Sequence, residues 1–195
     1  VYSKIMAWVA LARGSEVARQ QGGESAGHWL AEAELVRADI EAKGWNEAHR
    51  GYTMYYGSPS LDGALLRIAA LGFEGARAPR AQATVAAVRR SLADGPFVFR
   101  HSLPDGRRGP EASFLLLGFW LVQALALAGE HDEASQLFEE LRRKQSPLGL
   151  YSELFDPAAG RLVGNFPQGF SHQGLIEAAL ALAEKPETTH SSAAA

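Results

Sequence analysis

Two stretches of this chain are apolar almost all the way round a helix, and each is followed by a stretch that is apolar on one side only. Residues 2–21 carry Ile5, Met6, Trp8, Val9, Leu11 and Ala12, which leave little polar face. Residues 111–128 carry Phe114 to Leu117, Phe119 to Val122, and Leu125. The stretches after them, 25–43 and 132–144, set apolar residues such as Leu30 and Val36, or Leu137 and Leu141, against a charged opposite side. A helix that is hydrophobic all round has neighbours on every side, whereas a half-polar one faces water once. The alternation therefore predicts two layers of helices, with inner members joined to outer ones. Short links at Gly22-Gly23 and Gly129-Glu130 run from inner to outer.

Three further helices are expected at about 59–71, 79–93 and 173–183, making seven in an all-α chain. Pro79 suits a first helical turn, and Ser25, Asp132 and Ser171 are expected as N-caps. Long loops at 94–110 and 146–169, with an aromatic linker at 45–56, return from outer to inner layer. Phe97-Val98-Phe99 in the first of these alternates like a short strand. Loops gathered on one rim of a rigid scaffold are where function concentrates. Residues 1–185 read as one structural unit, and the small, polar residues 186–195 as a disordered tail.

Several functions drop out on composition. A net charge of -3 and a pI near 6.1 provide no broad basic field, so no nucleic-acid partner is expected. There is no cysteine, which removes thiol catalysis and thiolate metal sites. The six histidines show no metal-ligand spacing, so no metal is expected. The apolar run from Ile5 to Ala12 is too short to span a bilayer, and no membrane partner is expected. No secretory signal is legible at the start, and the cytoplasm is the expected compartment. The chain opens on Val1 and enters an apolar helix at once, so a fragment of a larger domain is expected.

The residues suited to chemistry lie in the loops. Glu153 stands between Tyr151 and Phe155, and a carboxylate among aromatic rings is partly desolvated, which favours proton transfer. The alternative is a loop acid paired to Arg161. Arg100 closes the strand-like run and offers a rigid fork of donors for hydroxyl-rich ligands, or else a surface ion pair. Glu111 opens a buried helix, where the dipole favours a carboxylate and plain capping competes with function. The linker aromatics Trp45, Tyr52, Tyr55 and Tyr56 read either as a sugar-stacking wall or as a lid folded back on the core. His172 reads as structural.

Three segments resemble glycoside hydrolase family 15, which includes glucoamylases, glucodextranases and bacterial trehalases. They are Ser3-Lys4-Ile5-Met6-Ala7-Trp8-Val9-Ala10-Leu11, Phe119-Trp120-Leu121-Val122-Gln123-Ala124-Leu125 and Gly164-Asn165-Phe166-Pro167-Gln168-Gly169-Phe170-Ser171-His172. The resemblance covers about Val1 to Ala183 and is nearest the trehalase-like branch. It implies an (α/α)6 toroid, of which this chain would form about the second half. It also implies inverting hydrolysis of α-glucosidic bonds by two glutamates, without a cofactor, on a disaccharide or oligosaccharide. Glu153, in Ser152-Glu153-Leu154-Phe155-Asp156, matches the family's general base. Arg100 resembles its substrate-binding arginine, and Glu111 an acidic position followed by glycine, where Ala112 stands here. The resemblance also adds Trp8 to Tyr55 and Tyr56 as sugar-stacking residues. Asp62 lies in a segment of family type and is read as structural.

One departure matters. The family's general acid lies in a Trp-Glu pair upstream of the segment resembled by 1–11, and no Trp-Glu pair occurs in this chain. The acid is thus expected from a missing N-terminal half, and the isolated chain is expected to be inactive. Competing readings are a non-catalytic α-helical interaction module and a carbohydrate-binding module.

Overall fold

A computed structural model describes residues 1–101 and 112–184. Six α-helices carry the architecture: α1 (Tyr2–Gln20), α2 (Ala26–Lys43), α3 (Pro79–Leu92), α4 (Leu115–Ala128), α5 (His131–Arg142) and α6 (Gly169–Ala183). Short antiparallel strands fill the long connections. β1 (Trp45–Asn46) pairs with β2 (Gly51–Tyr52), and β3 (Ala93–Asp94) with β4 (Phe97–Val98). A three-stranded sheet has the order β5 (Ser113–Phe114), β6 (Leu154–Asp156), β7 (Arg161–Val163).

Helix α4 is the centre of the larger core. Leu115, Phe119, Leu121, Val122 and Leu125 are buried on different sides of it, as its unbroken apolar sequence requires. It packs against α5 on one flank and α6 on another. Both crossings depend on glycine. A Cβ on Gly174 would lie 2.9 Å from Leu116 Cδ1 and 3.2 Å from Phe119 Cβ. A Cβ on Gly118 would lie 3.0 Å from Leu141 Cδ2 of α5, and 2.5 Å from the carbonyl oxygen of Pro96 in the β3–β4 turn. Gly129, at φ 94°, ends α4 in the left-handed region that favours glycine. A second core gathers Ile5, Val9, Ile40, Tyr52, Leu65, Ile68 and Phe73 between the α1–α2 pair and the segment that follows.

The third predicted helix is instead a single 3₁₀ turn, Gly63–Arg67. Its apolar residues serve two cores: Leu61 and Leu66 the larger, Leu65 and Ile68 the smaller. One α-helical stripe cannot face both. The Asp62 carboxylate accepts from Ala64 N–H at 2.9 Å, and Gly63 N–H donates to the Arg100 carbonyl at 2.8 Å. These bonds fix the turn against the strand end that carries Arg100.

Helix α1 also departs from expectation. Ile5 and Val9 are buried, but Met6 and Val17 are exposed. In α6 the buried positions are the small Ser171, Gly174, Ala178 and Ala181, while Phe170, Ile176 and Leu180 are more than half exposed. Packing runs as an open row from α1–α2 through β1–β2 to α3, and through the 3₁₀ turn to α4, which packs on both α5 and α6. The helices at the two ends of the row lack neighbours on one side, which is why their apolar sequences are not matched by burial.

Ser25 stands at the N-cap of α2, as expected, although its side chain makes no cap bond, whereas α5 opens with Glu130 at the N-cap, placing Asp132 in the first turn. Ser171 lies inside α6, and its hydroxyl donates to the Ser152 carbonyl at 2.7 Å, both residues being buried.

Candidate active site

Glu153 is positioned by backbone on three sides. Its carbonyl accepts from Leu115 N–H at 3.2 Å, at the start of α4. The next residue, Leu154, pairs with Phe114 of β5 and Val163 of β7. The Glu153 N–H donates to the Asn165 carbonyl at 2.8 Å. The preceding stretch is pinned by α6. Besides the Ser171 bond, Tyr151 N–H donates to His172 Nε2 at 3.3 Å, and His172 Nδ1 meets the Gln168 carbonyl at 2.7 Å. Those partners assign the neutral tautomer with the proton on Nδ1, since Nε2 must accept. His172 is thus a brace for the segment that carries Glu153.

The aromatic neighbours that suggested a desolvated setting are turned into the core. Tyr151 packs edge-on against Phe119, and Phe155 stacks on Phe97 at 5.0 Å. Glu153 is half-buried, and its Oε2 accepts from Asn165 Nδ2 at 3.0 Å. Among the described residues it forms no ion pair, so pairing with Arg161 is not seen.

Arg100 lies at the edge of a cavity of about 320 Å³, lined also by Tyr2, Asp62, Phe114, Leu116 and Trp120. Phe114 links the two candidates, because it lines this cavity and pairs across the sheet with Leu154. The cavity and the Glu153 segment therefore share the N-terminal end of α4. Trp120 is held by Arg67, whose guanidinium sits 5.1 Å above the indole, donates to Gln123 Oε1 at 3.1 Å and pairs with Glu177. Burial raises the Tyr2 phenol above its ordinary pKa, and the Arg67 charge opposes that rise.

Tyr55, Tyr56 and Trp8 are not brought to this cavity. Trp8 packs edge-on against Phe73 at 5.3 Å, with the Arg37 guanidinium 5.2 Å above it. Tyr56 donates its hydroxyl to Asp39 at 2.8 Å, and Lys4 stands 5.0 Å over its ring. Burial and the Asp39 bond push its phenol above the usual range. Trp8 thus joins α1 to Arg37 of α2 and to Phe73, and Tyr56 joins the linker to α1 and α2. Tyr55 is exposed. Glu111 lies outside the described residues. Trp120 and Asn165 fall within the segments of family type, but sequence assigns neither a role: the first sits within an apolar helix, and the second acts across a hairpin. Among the described residues no group of three His, Asp or Glu could hold a metal ion, and no helix is long and apolar enough to cross a membrane.

The helical pairs, with Glu153 and the Arg100 cavity near the start of α4, fit part of an (α/α) toroid. A glycosidase solved in complex with glucose superposes with a TM-score of 0.80 at 19% identity, over 95% of this chain and 52% of its own. A second glycosidase structure gives 0.76 at 21% identity, over 92% of this chain and 50% of its own. The sequence is more specific. The family model for glycosyl hydrolases family 15 matches residues 1–180, and the chain belongs to that family. It is 43% identical to a trehalase of Mycolicibacterium smegmatis, over 97% of this chain and 29% of that protein. Against a trehalase of Mycobacterium tuberculosis it is 40% identical, over 97% of this chain and 28% of that protein. A trehalase of Thermoplasma volcanium is 35% identical over 94% of this chain and 30% of its own length. The chain thus spans about three tenths of these curated relatives and about half of the structural neighbours.

Proposed function

We propose that residues 1–185 are the C-terminal portion of a trehalase-type catalytic domain that supplies the general base of an inverting α-glucosidic hydrolysis. The observation that carries this reading is the placing of Glu153 beside the start of α4, where the Arg100 cavity also opens. In inverting hydrolysis one carboxylic acid protonates the leaving oxygen. A carboxylate on the opposite face takes a proton from water as that water attacks the anomeric carbon, and the two groups stand about 6.5–9.5 Å apart. Glu153 is the base. Arg100 donates to sugar hydroxyls with its fixed fork, and Glu111 is kept as a substrate-side carboxylate. The disaccharide trehalose is the substrate, by the names of the relatives. The chemistry needs no cofactor.

The acid comes from residues beyond the 195, since the chain holds no Trp-Glu pair. Residues 1–195 alone therefore do not turn over trehalose. The exposed apolar side chains support a partner portion of the same domain. They include Met6, Trp29 and Leu35 on the α1–α2 pair and Ile176 and Leu180 on α6, at the two ends of the row; among the described residues α3, α4 and α5 expose no large apolar side chain. An arc that is apolar at both ends fits closure by further helices.

The test is proton NMR of the first glucose released from trehalose by the shortest polypeptide that contains residues 1–195 and is active. Inversion delivers one β- and one α-glucose per trehalose before mutarotation. Release of α-glucose alone contradicts the mechanism, and saccharide binding without turnover at any length favours a binding module.

A further inference from the structure

The carboxylate of Glu153 is gripped on one oxygen by a break in the sheet beside it. β6 and β7 pair regularly at Asp156↔Arg161, Phe155↔Leu162 and Leu154↔Val163, so the next partner of Glu153 in register is Gly164. Instead, Glu153 N–H donates to the carbonyl of Asn165. Gly164 and Asn165 together oppose one residue, and Gly164 has φ 80°. This is the geometry of a glycine β-bulge, a device that re-aims the side chains next to it. The bulge turns the Asn165 amide back on Glu153. Asn165 Nδ2 donates to Oε2 at 3.0 Å, and its backbone N–H points at the same oxygen at 3.4 Å. Gly164 closes the other side, where a Cβ would lie 3.1 Å from Oε2 and 3.2 Å from Glu153 Cβ. Among the described residues Oε1 accepts no hydrogen bond.

We propose that Gly164 and Asn165 form a positioning clamp that fixes Glu153 through Oε2 and leaves Oε1 to take the proton from the attacking water. The proposal rests on Glu153 being the base. Asn165 is a positioning residue: it binds no substrate and acts through the orientation of one carboxylate. Holding one oxygen fixes both rotation about the terminal bond and the direction of the free lone pairs. Loose placement of a catalytic group by about 1 Å can cost as much as 10²-fold in rate.

The experiment is steady-state trehalose hydrolysis by the shortest active polypeptide containing residues 1–195, comparing E153Q, N165A, N165H and G164A. N165A is expected to lower kcat about 10- to 100-fold with KM within about threefold, because substrate contacts are intact. N165H is expected to recover at least half of that loss on a logarithmic scale, its Nδ1–H standing near the amide position. G164A is expected to lower kcat by at least as much as N165A. If N165A keeps wild-type kcat while E153Q is inactive, the clamp is overturned and the base assignment stands. If E153Q itself keeps wild-type kcat, the base assignment falls and the clamp with it. An N165H no better than N165A, or a loss confined to KM, also overturns the clamp.

Discussion

Replacing Gly118 by alanine sets two known effects against each other. In a helix interior alanine is favoured over glycine by roughly 0.5–1 kcal/mol. Here the added Cβ would lie 2.5 Å from the Pro96 carbonyl oxygen and 3.0 Å and 3.1 Å from the two Leu141 methyls. The methyls can rotate aside, but the carbonyl belongs to a backbone turn. It is short of ordinary contact by about 0.9 Å, so α4 or the β3–β4 turn must move. Overpacking of that kind costs about 1–3 kcal/mol. The clash wins, and G118A should lose about 1–2 kcal/mol net, or roughly 2–8 °C in Tm for a chain of this size. G27A makes the same chemical change in α2, where nothing lies within 4 Å, and should gain up to about 1 kcal/mol. Both are measured by urea unfolding followed by far-UV circular dichroism. A G118A midpoint at or above wild type would refute the packing of α4 against the turn.

The anchor on Asp39 makes a pH prediction. Bonds from Lys4 and Lys43, both at 2.6 Å, and from Tyr56 hold its carboxyl well below the usual carboxylate range. A depressed folded pKa stabilises above the unfolded value, near 3.9, and that gain is lost as pH falls toward the folded one. Tm of the wild type should therefore fall more steeply than that of D39N below about pH 4, and parallel profiles would contradict the anchor. S171A removes the buried hydroxyl bond to Ser152, leaves its carbonyl unmatched, and should cost about 1–3 kcal/mol in urea unfolding. A change under about 0.5 kcal/mol would show that the brace is not needed.

What could be read from the sequence follows physical range. Helices α1, α2 and α3 lie close to their predicted limits because periodicity, Gly22, Gly44 and Pro79 are local signals. The 3₁₀ turn reads as an α-helix in the sequence because Leu61, Leu65, Leu66 and Ile68 look like one helical face, although they divide between two cores. The β6–β7 hairpin reads as plain loop in the sequence, since strands of three residues show too little alternation. Glu153 is legible through its motif rather than through burial among rings, because Tyr151 and Phe155 turn into the core. Trp8 and Tyr56 show the opposite limit. An aromatic side chain has the same identity whether it meets a sugar or packs under Arg37 or Lys4. Asn165 stands 12 residues from the carboxylate it holds, and only the bulge brings them together.

The central claim is that Glu153 takes the proton from the attacking water, and the NMR assay on trehalose, run with E153Q beside wild type, tests it most directly. The glutamine is nearly isosteric and cannot act as base, so turnover should fall roughly 10²–10⁴-fold, the range usual for an acid–base group, while wild type releases equal β- and α-glucose. Wild-type turnover by E153Q with the same anomeric products would contradict the account.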